Sequence, residues 1–245
     1  MIDPRTLFNR KLPLWYQLAQ MVRTEILASQ FAAGGRIPAE LNLAKQYGVS
    51  VVTVRQALKS LEEEGLISRH RGRGTFVTPG AHPPKELRLM GSVESIIAQQ
   101  MSEETEVLGH GVTAVPDHLA HHFGAQREVV LFRRLRREQG LPLSYALNYV
   151  ALEHGSQIDA TLLRRYPMLK ICRDIIGIKL SQVQISIEAQ RASQEVAQVL
   201  GVDVFSPVLF FSGVVCDQHH RVVDVALIYY RADRFKFTID LDVSR

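Results

Sequence analysis

Residues 43–66 read LAKQYGVSVVTVRQALKSLEEEGL, and the punctuation of this stretch decides the fold of the N-terminal third. A helix opening at Pro38 and burying Leu41 with Leu43 or Ala44 runs to Tyr47, where Gly48 offers the left-handed residue that ends a helix. Val49 turns inward, and Ser50 has the hydroxyl that caps a new helix. Val54, Ala57, Leu58 and Leu61 then recur at helical spacing. The helix continues through Glu62, Glu63 and Glu64 and stops at Gly65. Two helices joined by a short turn containing glycine make the helix-turn-helix pattern. Two short strands, Leu66–Arg69 and Thr75–Val77, connected by Arg71-Gly72-Arg73-Gly74, add a β-hairpin wing.

Upstream, Leu14, Leu18, Val22 and Ile26 keep helical spacing over residues 13–31, with Met21 beside them and Pro13 suited to a first turn. Residues 1–78 hold 11 basic against 6 acidic side chains, while the rest of the chain holds 18 against 19. The excess positive charge therefore sits in the first third, which suits a polyanionic partner for that part alone. With 46% hydrophobic and 22% charged residues, the composition is that of a soluble globular protein. Cys172 and Cys216 lie far apart without metal or disulfide spacing. No signal-peptide run or long apolar segment occurs, so the expected compartment is the cytoplasm.

Downstream, residues 79–91, rich in proline and glycine and without amphipathic period, read as a linker. Beyond it strands alternate with short helices. Val129–Glu138 pairs with Pro142–Val150 across Gln139-Gly140-Leu141, Ile178–Ala192 is one long strand, Ser193 caps a helix to Leu200, and Val208–Asp217 pairs with Val222–Arg231. The expected class is α+β, with an antiparallel sheet in the C-terminal domain. Domains are expected at 10–78 and 92–245.

Six ordered segments of the first third resemble the winged-helix domain of the GntR family of bacterial regulators: PLWYQLAQMVRTEI (13–26), IPAE (37–40), LAKQYGVS (43–50), TVRQAL (53–58), LEEEGL (61–66) and GRGTFV (72–77). The resemblance implies an operator-binding regulator whose third helix enters the major groove. Ser50, Val51, Val52, Thr53 and Arg55 lie at the end that would face bases and phosphates, and Arg69, Arg71, Gly72 and Arg73 belong to the wing. Arg55 is the leading contact, with an ion pair to Glu62 or Glu63 as the alternative. The family usually has arginine where Val51 stands and a basic or polar residue at Leu41, so base readout should shift toward thymine methyl groups at Val51 and Val52.

From about Ser92 to Leu241 the chain resembles the UTRA effector-binding domain of the HutC branch of that family. FRRLRREQGLPLSYALNYV (132–150), EVAQVLGV (195–202) and RVVDVALIYYRADRFKFTIDL (221–241) carry the likeness. It implies a chorismate-lyase-like fold and a pocket using Arg134, Arg136, Asp224 and Tyr230, with Tyr145 a further candidate. Strand alternation puts Arg134 and Arg136 on one face with Phe132, and Arg133 on the other. The alternative is an exposed, ion-paired position for the arginines and a core position for both tyrosines. Relatives sensing sugar phosphates commonly carry serine at Pro167 and glutamate at Ala146. A proline gives a phosphate neither N–H nor hydroxyl, so the expected effector is an organic anion, a carboxylate rather than a sugar phosphate. A homodimer reading a pseudo-palindromic operator as a repressor released by ligand is the expected mode. No nucleophile–base pair, paired carboxylates or cofactor loop appears, and His110, His121, His122, His219 and His220 lack metal spacing. The expectation is therefore no enzyme, no cofactor, no metal and no membrane partner.

Overall fold

The structure, a computed structural model of the 245-residue chain, describes residues 8–9, 11–28, 30–78, 85–89, 93–101, 104–138 and 140–239. The chain divides into two compact units between residues 83 and 84.

The first unit runs α1 (Leu14–Leu27), β1 (Arg36–Ile37), α2 (Glu40–Tyr47), α3 (Val51–Glu63), β2 (Ile67–His70) and β3 (Gly74–Val77). Gly48 ends α2 at φ 65°, in the left-handed conformation its lack of Cβ permits. The Ser50 hydroxyl accepts the Thr53 N–H at 3.1 Å and so caps α3. Val54, Ala57, Leu58 and Leu61 are buried against Leu18, Val22 and Ile26 of α1 and Leu43 of α2. Three details differ from the sequence reading. Pro13 is the residue before α1, not its first turn. Helix α2 begins at Glu40 rather than Pro38, and its inward face carries Leu43, Ala44 and Tyr47 while Leu41 is 64% exposed. Strand β1 was not expected; it pairs with β3, Arg36 opposite Phe76, in a sheet ordered β1-β3-β2.

The second unit continues with β4 (Lys85–Leu89), α4 (Val93–Gln100), β5 (Glu104–Ala114), a 3-10 turn (Asp117–Leu119), α5 (Ala120–Phe123), β6 (Glu128–Glu138), β7 (Leu141–Ala151), α6 (Leu152–Gly155) and α7 (Ala160–Arg165). Then come α8 (Met168–Lys170), a π turn (Ile171–Ile175), β8 (Leu180–Arg191), α9 (Gln194–Leu200), β9 (Pro207–Asp217), β10 (Val222–Arg231) and β11 (Phe235–Ile239). Six of these strands form an antiparallel sheet ordered β5-β6-β7-β10-β9-β8. The α+β architecture thus matches the reading of the sequence.

The linker differs. Residues 85–89, read as part of it, form a strand that pairs in parallel with β11, Leu87 opposite Phe237. Leu87 is buried, with Phe235 of β11, in one core cluster against Phe211, Ile228 and Tyr230. No local pattern could reveal a partner so distant in the chain. The other linker residues, 79–84 and 90–91, lie outside the described residues, as do Gln139 of the first hairpin turn and Leu241.

Register fixes what each sheet face carries. Phe132, Arg134 and Arg136 of β6 align with Asn148, Ala146 and Ser144 of β7, and these with Ala226, Ile228 and Tyr230 of β10. That face is covered by Met168, Ile171 and Cys172 at one end and by Leu87 and Phe235 at the other. On the opposite face Leu135 and Tyr145 pack against Val196 and Leu200 of α9.

Candidate functional site

Two places gather the polar side chains singled out above. The first is the N-terminal end of α3. Ser50 and Arg55 are exposed there, and Val52 is 70% exposed. The first N–H groups of a helix lack helical partners and, with the peptide dipoles, favour an anion. Val51, expected beside Val52, instead packs against the helical core and is half-buried. The Thr53 hydroxyl lies 2.9 Å from that of Ser50.

Arg55 does not pair with Glu62 or Glu63. Its Nε donates to Glu40 Oε2 at 2.7 Å, while Nη2 of Arg69 donates to Glu40 Oε1 at 2.6 Å. One carboxylate of α2 therefore joins the third helix to the wing. The glutamates at the far end of α3 are anchors as well: Glu62 accepts the Arg69 backbone N–H at 3.2 Å, Lys59 lies 3.6 Å from Glu63, and Arg23 Nε donates to Glu64 at 3.0 Å.

In the wing, Arg71, Gly72 and Arg73 are exposed, and Gly72 turns the chain at φ 75°. Gly74 has a φ of 114°, and a Cβ there would lie 2.8 Å from Nε of Arg36. The side chain of Arg36 thus lies against the base of the wing. Sequence reasoning missed this cation, because only the pairing of β1 with β3 brings it there.

The second place is a cavity on the β6-β7-β10 face. Its charged lining residues are Arg134, Arg136 and Asp224; Met168, Leu169, Val183, Ile185, Phe211 and Ile228 are among its apolar walls. The three charged side chains are almost fully buried. Nη2 of Arg134 donates to Asn148 Oδ1 at 2.7 Å, and Nδ2 of Asn148 donates to Asp224 Oδ2 at 2.8 Å. Arg136 Nη2 donates to Gln100 Oε1 of α4 at 3.3 Å. The other carboxyl oxygen of Asp224 is buried with no hydrogen-bond partner among the described residues.

Burial pushes the Asp224 carboxyl up to about 7, against the Asn148 hydrogen bond and the Arg134 charge, which pull it down. A raised carboxyl pKa makes the folded state hold a proton that the unfolded chain has lost. Stability from this group is thus complete below about pH 4 and declines as pH rises toward 7. Asp224→Asn removes that slope. Urea unfolding at pH 5 and pH 7.5 should show the variant gaining on the parent at the higher pH; an equal difference at both would contradict the raised pKa.

The tyrosines fare differently. Tyr145 pairs in register with Leu135, so its ring is on the opposite face, where its hydroxyl donates to Glu195 Oε1 at 2.7 Å. Tyr230 shares the face of Arg136 but is buried under Phe235, ring centroids 3.9 Å apart. Neither lines the cavity. At Pro167, the residue before α8, no side chain caps the helix, and Met168 and Leu169 follow it into the cavity wall. Among the described residues no group of three metal-ligating side chains exists, and no helix is long and apolar enough to cross a membrane.

Residues 15–77 match the model described as bacterial regulatory proteins, gntR family, and residues 98–236 match the UTRA domain. The HTH-type transcriptional regulator Rv0792c of Mycobacterium tuberculosis is 27% identical over 94% of this chain and 86% of its own length. The HTH-type transcriptional repressor NagR of Bacillus subtilis is 26% identical over 94% and 96%. Among solved structures, PhnF from Mycobacterium smegmatis aligns at 25% identity and a TM-score of 0.55 over 93% of this chain and 99% of that one. The regulator YydK of Bacillus subtilis, at 19% identity and a TM-score of 0.56 over 94% and 100%, shares the fold.

Proposed function

The chain belongs to the GntR family of bacterial regulators, with the winged helix and UTRA domain of its HutC branch, and from that premise we propose a ligand-released repressor. As the families and relatives it matches are transcription regulators, it is a DNA-binding regulator and not an enzyme. It binds a pseudo-palindromic operator as a homodimer, and a small organic anion in the sheet cavity releases it.

The observation that carries the effector assignment is the cavity lining, two arginines against a single carboxylate in apolar walls. A guanidinium in an apolar wall suits the planar, two-oxygen edge of a carboxylate guest. Ala146, which faces Arg134 across the strands, and the Pro167-Met168-Leu169 segment offer no hydroxyl to a phosphate. These features favour a carboxylate with an apolar body over a sugar phosphate. A thermal-shift screen of both classes tests this; stabilisation by sugar phosphates alone would sink it.

On the DNA side, Ser50, Val52, Thr53 and Arg55 approach the major groove. Arg69, Arg71, Gly72 and Arg73, with Arg36, serve the wing. Val51 supports the helix from within. Exposed Val52 and Leu41 favour thymine methyl contacts. Arg55→Ala is expected to cost about 1–3 kcal/mol of operator affinity, read by anisotropy titration; unchanged affinity would remove Arg55 from the interface. The ligand acts by its differential affinity for the DNA-competent and incompetent states, transmitted through the segment between the units.

A further inference from the structure

We propose that Glu40 is the positioning residue for DNA reading, holding Arg55 of the third helix and Arg69 of the wing as one fixed unit. The inference rests on the DNA-binding reading above and deepens it.

The geometry is specific. Each carboxylate oxygen of Glu40 takes one arginine, Oε2 the Nε of Arg55 at 2.7 Å and Oε1 the Nη2 of Arg69 at 2.6 Å. The three residues belong to α2, α3 and β2, so the carboxylate joins the third helix to a strand of the wing. Its side chain is 25% exposed, whereas that of Arg55 is 63% exposed. The Nε of Arg55 is occupied, while most of its side chain is exposed.

A long, freely rotating arginine can follow any phosphate. An arginine held at Nε presents its Nη pair in one direction, the arrangement a bidentate contact to a guanine edge or one phosphate requires. A carboxylate this near DNA also repels the backbone. It therefore weakens binding to every sequence and costs least where both arginines find their partners. Glu40 accordingly raises discrimination between sequences at the expense of general affinity. The exposed ion pairs contribute little to folding, so this is the larger consequence.

The test uses the full chain and two probes. One is the duplex of about 20 base pairs most enriched from a random library by the parent protein; the other is the unselected library. Glu40→Gln keeps the shape and removes the charge. It should weaken binding to the selected duplex about tenfold or more while binding the library at least as tightly. Its library affinity should also fall more steeply with salt, by about one phosphate contact. Glu40→Asp, with the charge kept and the reach shortened, should lose discrimination without gaining library affinity. In an Arg55→Ala background, Glu40→Gln should change discrimination by less than it does in the parent, the remainder acting through Arg69.

An unchanged ratio between the two probes overturns the proposal. A parallel loss on both, with a lowered melting temperature, overturns it too, because that is a purely structural role. If Arg55→Ala collapses discrimination and Glu40→Gln does not, positioning alone fails. If Arg55→Ala also changes nothing, or the parent enriches no sequence, the DNA-reading assignment fails with it.

Discussion

Changing Arg134 to methionine is expected to abolish the response to the carboxylate found in the screen, while operator affinity stays within about twofold. Arg134 is 1% exposed and stands at the head of a hydrogen-bond chain through Asn148 to Asp224. Removing its guanidinium takes away the partner proposed for the anion and one of the two guanidiniums of the lining. It also lets the Asp224 carboxyl rise further, since the Arg134 charge is one of the two influences holding it down. Arg136 then remains as the one guanidinium of the lining, without the Arg134–Asn148–Asp224 chain that would orient an anion. Arg133, one residue away, points to the opposite face and is exposed. Arg133→Met should leave both ligand response and operator binding intact. Release of operator by ligand in the Arg134 variant, or loss of release in the Arg133 variant, would refute the cavity assignment.

Leu61→Ala is expected to destabilise the winged helix by about 2–5 kcal/mol. Leu61 is fully buried in a cluster with Leu18, Val22, Leu58 and Ile67, the one core cluster of the first unit among the described residues. A loss of that size is a large fraction of a domain's stability, typically about 5–15 kcal/mol. The second unit has its own clusters and should melt as in the parent. Calorimetry should then resolve an early transition that carries operator binding and a late one that responds to ligand. A single transition displaced as a whole would show that the two units unfold together.

How much of this was legible in the sequence depended on the range of the interactions involved. Gly48 and Ser50 act on neighbours within three residues, so their chemistry shows in the sequence itself. The common face of Arg134 and Arg136 followed from strand alternation, because β6 carries no bulge between them. Leu41 misled because the buried face of α2 is set by Leu43, Ala44 and Tyr47 at i, i+1 and i+4, and Leu41 lies off that face. Tyr145 misled for want of a register: one position decides which face it serves. The partners of Arg55 and the place of Arg36 depend on tertiary pairing and could not be read locally.

The ladder between β4 and β11 has a consequence for the order in which the molecule is made. The Thr238 hydroxyl donates to the Glu86 carboxylate across 152 positions of chain, and the partners in the ladder, Lys85 with Phe235 through Leu89 with Ile239, are 150 positions apart. Closing so large a loop is entropically slow and must follow the emergence of nearly all the intervening residues from the ribosome. The helical head can therefore fold early in translation, whereas the strand that succeeds it waits, unzipped, until its distant mate has been made.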